Sequence, residues 1–91
     1  MESAAEIKEV RMVPVSFIRG VFQSGSLHRA KLIFKNEEGG YQLIIETPQT
    51  QLLVARRDGD APRVWRSVER AISFIKENFG SISEILLVYK E

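Results

Sequence analysis

The sequence predicts a two-layer α+β domain in which an antiparallel β-sheet of about five strands carries one α-helix packed on one face. Three observations predict this class. Residues 63–80 have the pattern of a capped amphipathic helix, residues 28–47 have the pattern of a β-hairpin, and residues 83–90 form a short apolar stretch of strand length. The expected order of elements is β-β-β-β-α-β.

The first strand is predicted over residues 7–15, after residues 1–6, which we expect to be disordered as chain ends commonly are. Pro14 lacks a backbone N–H, which suits the end of a strand or the edge of a sheet. A helix over residues 4–12, also ended by Pro14, is the alternative interpretation.

Residues 16–26 contain four large apolar side chains, together with glycines that interrupt any long element. We predict a loop here, with at most a short strand, that packs over the core through its aromatic side chains. The alternative is an exposed apolar patch that contacts a second subunit. Its members would be Phe17, Ile18, Val21 and Phe22.

The hairpin is predicted from the alternation of two segments, 28–35 and 41–47, in which one face is apolar and the other is polar except for Ile33 and Ile44. The intervening NEEGG is a strong turn signal. Residues 51–57 continue the meander as a further strand, after a short turn. An Asp-Gly turn over residues 58–62 follows, and residues 63–65 can then pair back briefly.

The helix within residues 63–80 has a natural N-cap in Ser67, whose hydroxyl group can accept a hydrogen bond from the first turn. Gly80 can adopt the left-handed conformation that ends a helix. Trp65 directly precedes the cap and is expected in the core. One apolar stripe must be covered by the sheet, and it consists of Val68, Ala71, Ile72, Ile75 and Phe79.

The overall composition limits which classes of function are possible for this chain. The 91 residues form one domain at most, and the net charge is only +1. The chain has no cysteine and no apolar run long enough to cross a bilayer, and its N-terminus lacks a signal-peptide pattern. We therefore expect a cytoplasmic protein with no membrane partner.

Catalytic and metal-binding patterns are missing from the sequence. His28 is its one histidine, and no Gly-x-Ser-x-Gly elbow or phosphate loop is present. Asp58 and Asp60 flank a glycine, but a turn explains them better than a calcium site. We therefore expect no enzyme activity, no metal and no cofactor.

Basic residues form the one functional signal above background, because five arginines lie within residues 56–70. A second basic group lies on one face of the strand over residues 28–35. Arginine and aromatic side chains on a sheet face or rim can contact nucleic acid. The alternative is a solvated face with weak ion pairs. The candidate nucleic-acid contacts are Arg29, Lys31, Arg56, Arg57, Arg63 and Arg66.

A short motif adds a resemblance. An arginine-rich turn leads into Pro62-Arg63-Val64-Trp65-Arg66-Ser67, a helix, a glycine and a short strand. Residues 40–88 thereby resemble small accessory proteins of bacterial plasmids and other mobile elements, which are described as replication- or partition-related. More distantly, the chain resembles the three-stranded-sheet-plus-helix DNA-binding modules of phage integrase arm domains, although it has an extra C-terminal strand and an extended N-terminal segment.

The resemblance implies a non-enzymatic accessory protein of plasmid replication or partition. It would contact DNA, or a DNA-bound protein partner of the plasmid maintenance machinery, through an arginine-bearing sheet face or rim. The alternative is an interaction or dimerisation module without nucleic-acid binding. In that case the apolar residues 17–22, or an edge strand over residues 84–89, would join two copies into a homodimer.

Overall fold

The computed structural model describes residues 10–23, 29–47, 50–80, 82 and 84–89, with the backbone alone for residues 21–23. The predictions for residues 1–9 lie outside this part of the chain. The elements are β1 (Val10–Val13), α1 (Val15–Gln23), β2 (Arg29–Lys35), a 3-10 turn (Asn36–Glu38), β3 (Gly40–Glu46), β4 (Gln51–Val54), α2 (Val68–Asn78) and β5 (Ile85–Val88).

The five strands form one mixed sheet in the order β1-β4-β3-β2-β5. The meander of β2, β3 and β4 is antiparallel, as predicted. However, β1 pairs in parallel with β4, and β5 pairs in parallel with β2, so the prediction of an antiparallel sheet is wrong at both edges. A helix connects each edge strand to the meander, and such a crossover joins strands that run in the same direction.

Both helices lie on one face of the sheet. The connections from β1 to β2 and from β4 to β5 both run across the sheet from the β1 edge towards the β5 edge. Because such crossovers are right-handed, the two helices are expected on the same side. Ile18 of α1 and Ile75 of α2 indeed belong to one apolar core, and Asn78 Oδ1 of α2 accepts hydrogen bonds from the Arg19 guanidinium of α1.

Helix α1 replaces the predicted loop. The carbonyl oxygen of Pro14 accepts hydrogen bonds from the N–H groups of Phe17 (3.1 Å) and Ile18 (3.4 Å), which starts the helix directly after β1. Ile18 is fully buried. The glycine at position 20 suggested a break, but tertiary packing of an apolar face outweighs a propensity cost of about 1 kcal/mol.

Helix α2 forms as predicted from its N-cap onward, since the Arg70 N–H donates to Ser67 Oγ at 3.2 Å. Its stripe supplies Ala71, Ile75 and Phe79 to the core. The expected role of Gly80 is wrong, because this residue follows the C-cap residue Phe79 but does not adopt the left-handed conformation. Among the described glycines, the positive φ values belong to Gly39 and Gly59 instead.

The core lies between the helices and the central strands. Side chains alternate along each strand, and the strand residues of the core face the helices, whereas Gln42 and Ile44 are buried on the opposite face. The sheet contributes Ala30, Leu32, Leu43, Ile45, Leu52 and Val54. Trp65 is buried as predicted. No described helix has the length and apolar character needed to span a bilayer.

Candidate nucleic-acid interface

Three of the six predicted basic residues meet beside a tight turn. Strand β4 ends at Val54, and the chain returns so that the Arg56 N–H donates to Ala61 O (2.8 Å) and the Arg63 N–H donates to Val54 O (3.0 Å). Gly59, with φ near 80°, lets the turn close. The backbone hydrogen bonds of the turn therefore place Arg56 and Arg57 opposite Arg63.

Arg63 is held by two aromatic rings. Its Cζ lies 5.0 Å from the Trp65 ring centroid and 4.9 Å from that of Phe74. Cation–π contacts of this kind orient a guanidinium group without consuming its five N–H donors. Arg63 is therefore pre-organised and remains able to bind an anion.

A groove runs between these residues. One part, of about 520 Å³, is lined by Arg56, Arg57, Pro62, Arg63 and Val64. The adjoining part, of about 340 Å³, shares Arg57 and Arg63 with the first part and adds Arg19 of α1. Its other lining residues are Pro14, Val15, Ser16, Ala55, Phe74 and Asn78. We call the two parts together the arginine groove. Sequence reasoning missed Arg19 because α1 was not predicted.

The arginine groove is electrostatically one-sided. Among the residues that the structure describes, its lining includes no carboxylate. In the part of the chain that the structure describes, the ion pairs involve Arg29 and Lys31 rather than Arg56, Arg57 or Arg63. Arg56 nevertheless interacts electrostatically with the carboxylates of Asp58 and Asp60 in the adjoining turn. Arg57 and Arg63 are therefore the guanidinium groups best able to bind phosphate oxygens through paired N–H donors. A neighbouring groove includes Glu69 and Glu77 and is less suited to an anion.

Arg29 and Lys31 lie elsewhere, on the sheet face opposite the helices. Arg29 Nε lies 2.6 Å from Glu46 Oε1, and Lys31 Nζ lies 3.2 Å from Glu46 Oε2. Partial burial alone would raise the pKa of Glu46, but hydrogen bonds from the two basic side chains outweigh it and lower the pKa. These two cations are thus engaged within the chain and are separated from the arginine groove.

The remaining predicted site residues differ in position. Arg66 is exposed beside the N-cap of α2 and does not line the arginine groove. Within the predicted apolar patch, Ile18 is a core residue and cannot meet a partner, whereas Phe17 is 45% exposed. Val21 and Phe22 lie in α1, but their side chains are outside the described residues. The patch is therefore reduced to Phe17 among the side chains that the structure describes.

Metal-ligating groups do not cluster in the described residues. Asp58 Oδ1 accepts a hydrogen bond from the Asp60 N–H at 3.3 Å, which closes the turn locally. No family model matches the chain, and neither a curated protein nor a solved structure matches it.

Proposed function

We propose that the protein is a non-enzymatic accessory protein of plasmid replication or partition that contacts DNA through the arginine groove. The resemblance of residues 40–88 to plasmid-borne accessory proteins supplies the biological setting. The groove supplies the chemistry, since phosphate is the anion that every stretch of DNA presents.

The single observation that supports DNA contact most strongly is the convergence of four arginines from separate parts of the chain. Arg19 comes from α1, Arg56 and Arg57 from the end of the meander, and Arg63 from the segment before α2. Like charges repel, so bringing them together with no carboxylate among the described lining residues favours an anionic ligand. The net charge of +1 is compatible with this because the basic character is local.

The test is fluorescence anisotropy of labelled duplex and single-stranded DNA at two salt concentrations, with the wild type and Arg56→Ala/Arg57→Ala. We expect binding that weakens steeply as salt rises. Each lost phosphate contact reduces the salt slope by about 0.9 on duplex DNA or 0.7 on a single strand, so the double variant should lose roughly 1.8 or 1.4. Its affinity at low salt should fall at least about tenfold.

The matched control is Arg11→Ala/Lys76→Ala, which removes the same two charges from exposed positions outside the groove. This variant should retain both the affinity and most of the salt slope. Equal losses in the two double variants would indicate a diffuse charge effect and contradict a groove. Absence of DNA binding at low salt would contradict the proposed function as a whole.

A second candidate function, dimerisation without nucleic acid, is favoured by one observation. Strand β5 lies at an edge of the sheet, and two large apolar side chains on or beside it are exposed, Leu87 (46%) and Tyr89 (62%). An edge strand presents unpaired backbone groups to a second chain.

For this second function, sedimentation equilibrium should give the mass of two chains for the wild type. Leu87→Glu should convert it to one chain, because a charge would be buried at the new contact. Phe17→Glu is the control: it introduces the same charge at an exposed position in α1, away from β5, and should leave the dimer intact. A wild type that sediments as one chain at high concentration would rule dimerisation out.

A further inference from the structure

Four aromatic residues form a row across the helix side of the sheet. The segment before α2 pairs with the start of β3, where Tyr41 and Trp65 exchange hydrogen bonds of 2.7 and 2.9 Å. Tyr41 pairs in turn with Phe34 of β2. Tyr89 follows β5 and continues its register beside Phe34. Directly paired residues present their side chains on the same face, so Trp65, Tyr41, Phe34 and Tyr89 all place their side chains on the helix side of the sheet.

Ring contacts hold the outer part of this aromatic row. The Phe34 and Tyr41 centroids are 5.3 Å apart, and the Tyr89 centroid lies 6.2 Å from each of them. The pKa of the Tyr41 hydroxyl is raised, chiefly by hydrogen bonding to Tyr89 and further by burial. Tyr89 is therefore held in a defined position although it is 62% exposed.

The row joins the arginine groove at its inner end, because Arg63 stacks on Trp65. Tyr41 lies one strand spacing from Trp65, about 5 Å, and the Tyr89 ring lies 6.2 Å from the Tyr41 ring, so the path from Trp65 to the Tyr89 ring is about 11 Å. At the 3.4 Å rise of one strand within a duplex, that distance corresponds to about three nucleotides. A strand whose phosphates lie in the groove can thus place a base over the outer rings.

Exposure differs along the row. Trp65 is buried, whereas Phe34 and Tyr41 are half-buried and Tyr89 is exposed. The helices leave the β5 side of the sheet only partly covered, since none of the β5 residues is buried. The Trp65 ring therefore packs in the core and against Arg63, whereas the exposed Tyr89 ring can contact a ligand.

We propose that the arginine groove and the aromatic row form one site for single-stranded nucleic acid, in which a base stacks on Tyr89 while the arginines bind the adjoining phosphates. This inference rests on the proposed function and deepens it by assigning strandedness and a base contact.

Single strands suit this site better than duplexes. In a duplex the base faces are stacked on each other and are closed to a side chain, so the duplex would use the arginines alone. In a single strand every base has a free face, and stacking on an aromatic side chain tolerates any sequence. The 2′-hydroxyl does not enter this contact, so DNA and RNA strands both satisfy the proposal.

The experiment compares four labelled ligands by anisotropy at one low salt concentration. They are dT12, U12, a 12-nucleotide abasic strand that keeps the phosphates, and a 12-base-pair duplex. We expect the wild type to bind dT12 or U12 roughly tenfold more tightly than the abasic strand. Tyr89→Leu should remove this difference and leave affinity for the abasic strand unchanged.

Two variants serve as controls. Tyr89→Phe keeps the ring and should keep the preference for bases. Phe17→Leu removes an exposed ring outside the row and should change nothing. Circular dichroism of Tyr89→Leu should match the wild type, because the side chain is largely in solvent.

The outcomes separate the two proposals. Equal, salt-sensitive binding of dT12, U12 and the abasic strand would overturn base stacking and leave the arginine groove as a phosphate site. A preference for bases that survives Tyr89→Leu would overturn the assignment to Tyr89. A duplex bound more tightly than both single strands would overturn the assigned strandedness. Failure of all four ligands to bind would overturn the proposed function itself.

Discussion

Replacement of Gly40 by alanine is expected to lower the free energy of unfolding by about 3 kcal/mol, the upper range for overpacking. A Cβ atom at this position would lie 2.5 Å from Val64 Cγ1 and 2.6 Å from the carbonyl oxygen of Trp65. That oxygen accepts the hydrogen bond from the Tyr41 N–H, so the segment before α2 would have to move away from β3. Urea denaturation followed by circular dichroism measures the loss.

The matched control for this variant is Gly20→Ala. Gly20 lies within α1, and a Cβ atom there would meet nothing within 4 Å. Alanine should therefore raise the free energy of unfolding by roughly 0.5–1 kcal/mol, the usual gain over glycine inside a helix. Equal stability of Gly40→Ala and the wild type would show that the close approach of the two segments is not required.

Phe79→Ala is expected to cost about 3–5 kcal/mol, because it removes a fully buried ring and leaves a cavity. A domain of this length has about 5–14 kcal/mol in total, so the variant should lose at least about a fifth of its stability. Phe79 also packs against Phe74, which supports Arg63. We therefore expect weaker binding in the arginine groove even in the fraction that remains folded.

Thermal unfolding checks the Phe79 prediction, with a fall in Tm of at least about 12 °C expected for a domain of this size. Phe17→Ala is the comparison, since the same ring is removed from a position that is 45% exposed. It should shift Tm by only a few degrees. Similar shifts for the two variants would contradict the assignment of Phe79 to the core.

The local elements were predictable where a periodic pattern and a turn or cap signal agreed. Helix α2 begins after Ser67 as expected, and β2 and β3 pair through the Asn36–Glu38 turn. Helix α1 was not predictable in the same way. Its nine residues contain a glycine, and burial of Ile18 against the sheet stabilises it more than its own propensities do.

The candidate site was predictable in residue type but not in arrangement. The sequence showed that Arg56, Arg57 and Arg63 lie near one turn, but it treated Arg29 and Lys31 as equivalent to them. Glu46 decides the difference, because the register of β2 and β3 places it against both basic side chains. Cross-strand neighbours depend on register, which alternation alone does not specify.

The sequence by itself determined the capped helix, the hairpin, the face that each strand residue occupies and the absence of cysteine. Only the tertiary structure decided that both edge strands are parallel to their neighbours, that Arg19 joins the arginine groove, and that the rings of Phe34, Tyr41 and Tyr89 contact one another. The physical reason is that periodicity reports a residue's own environment. Contacts between distant residues depend instead on how crossovers and strand register bring separate segments together.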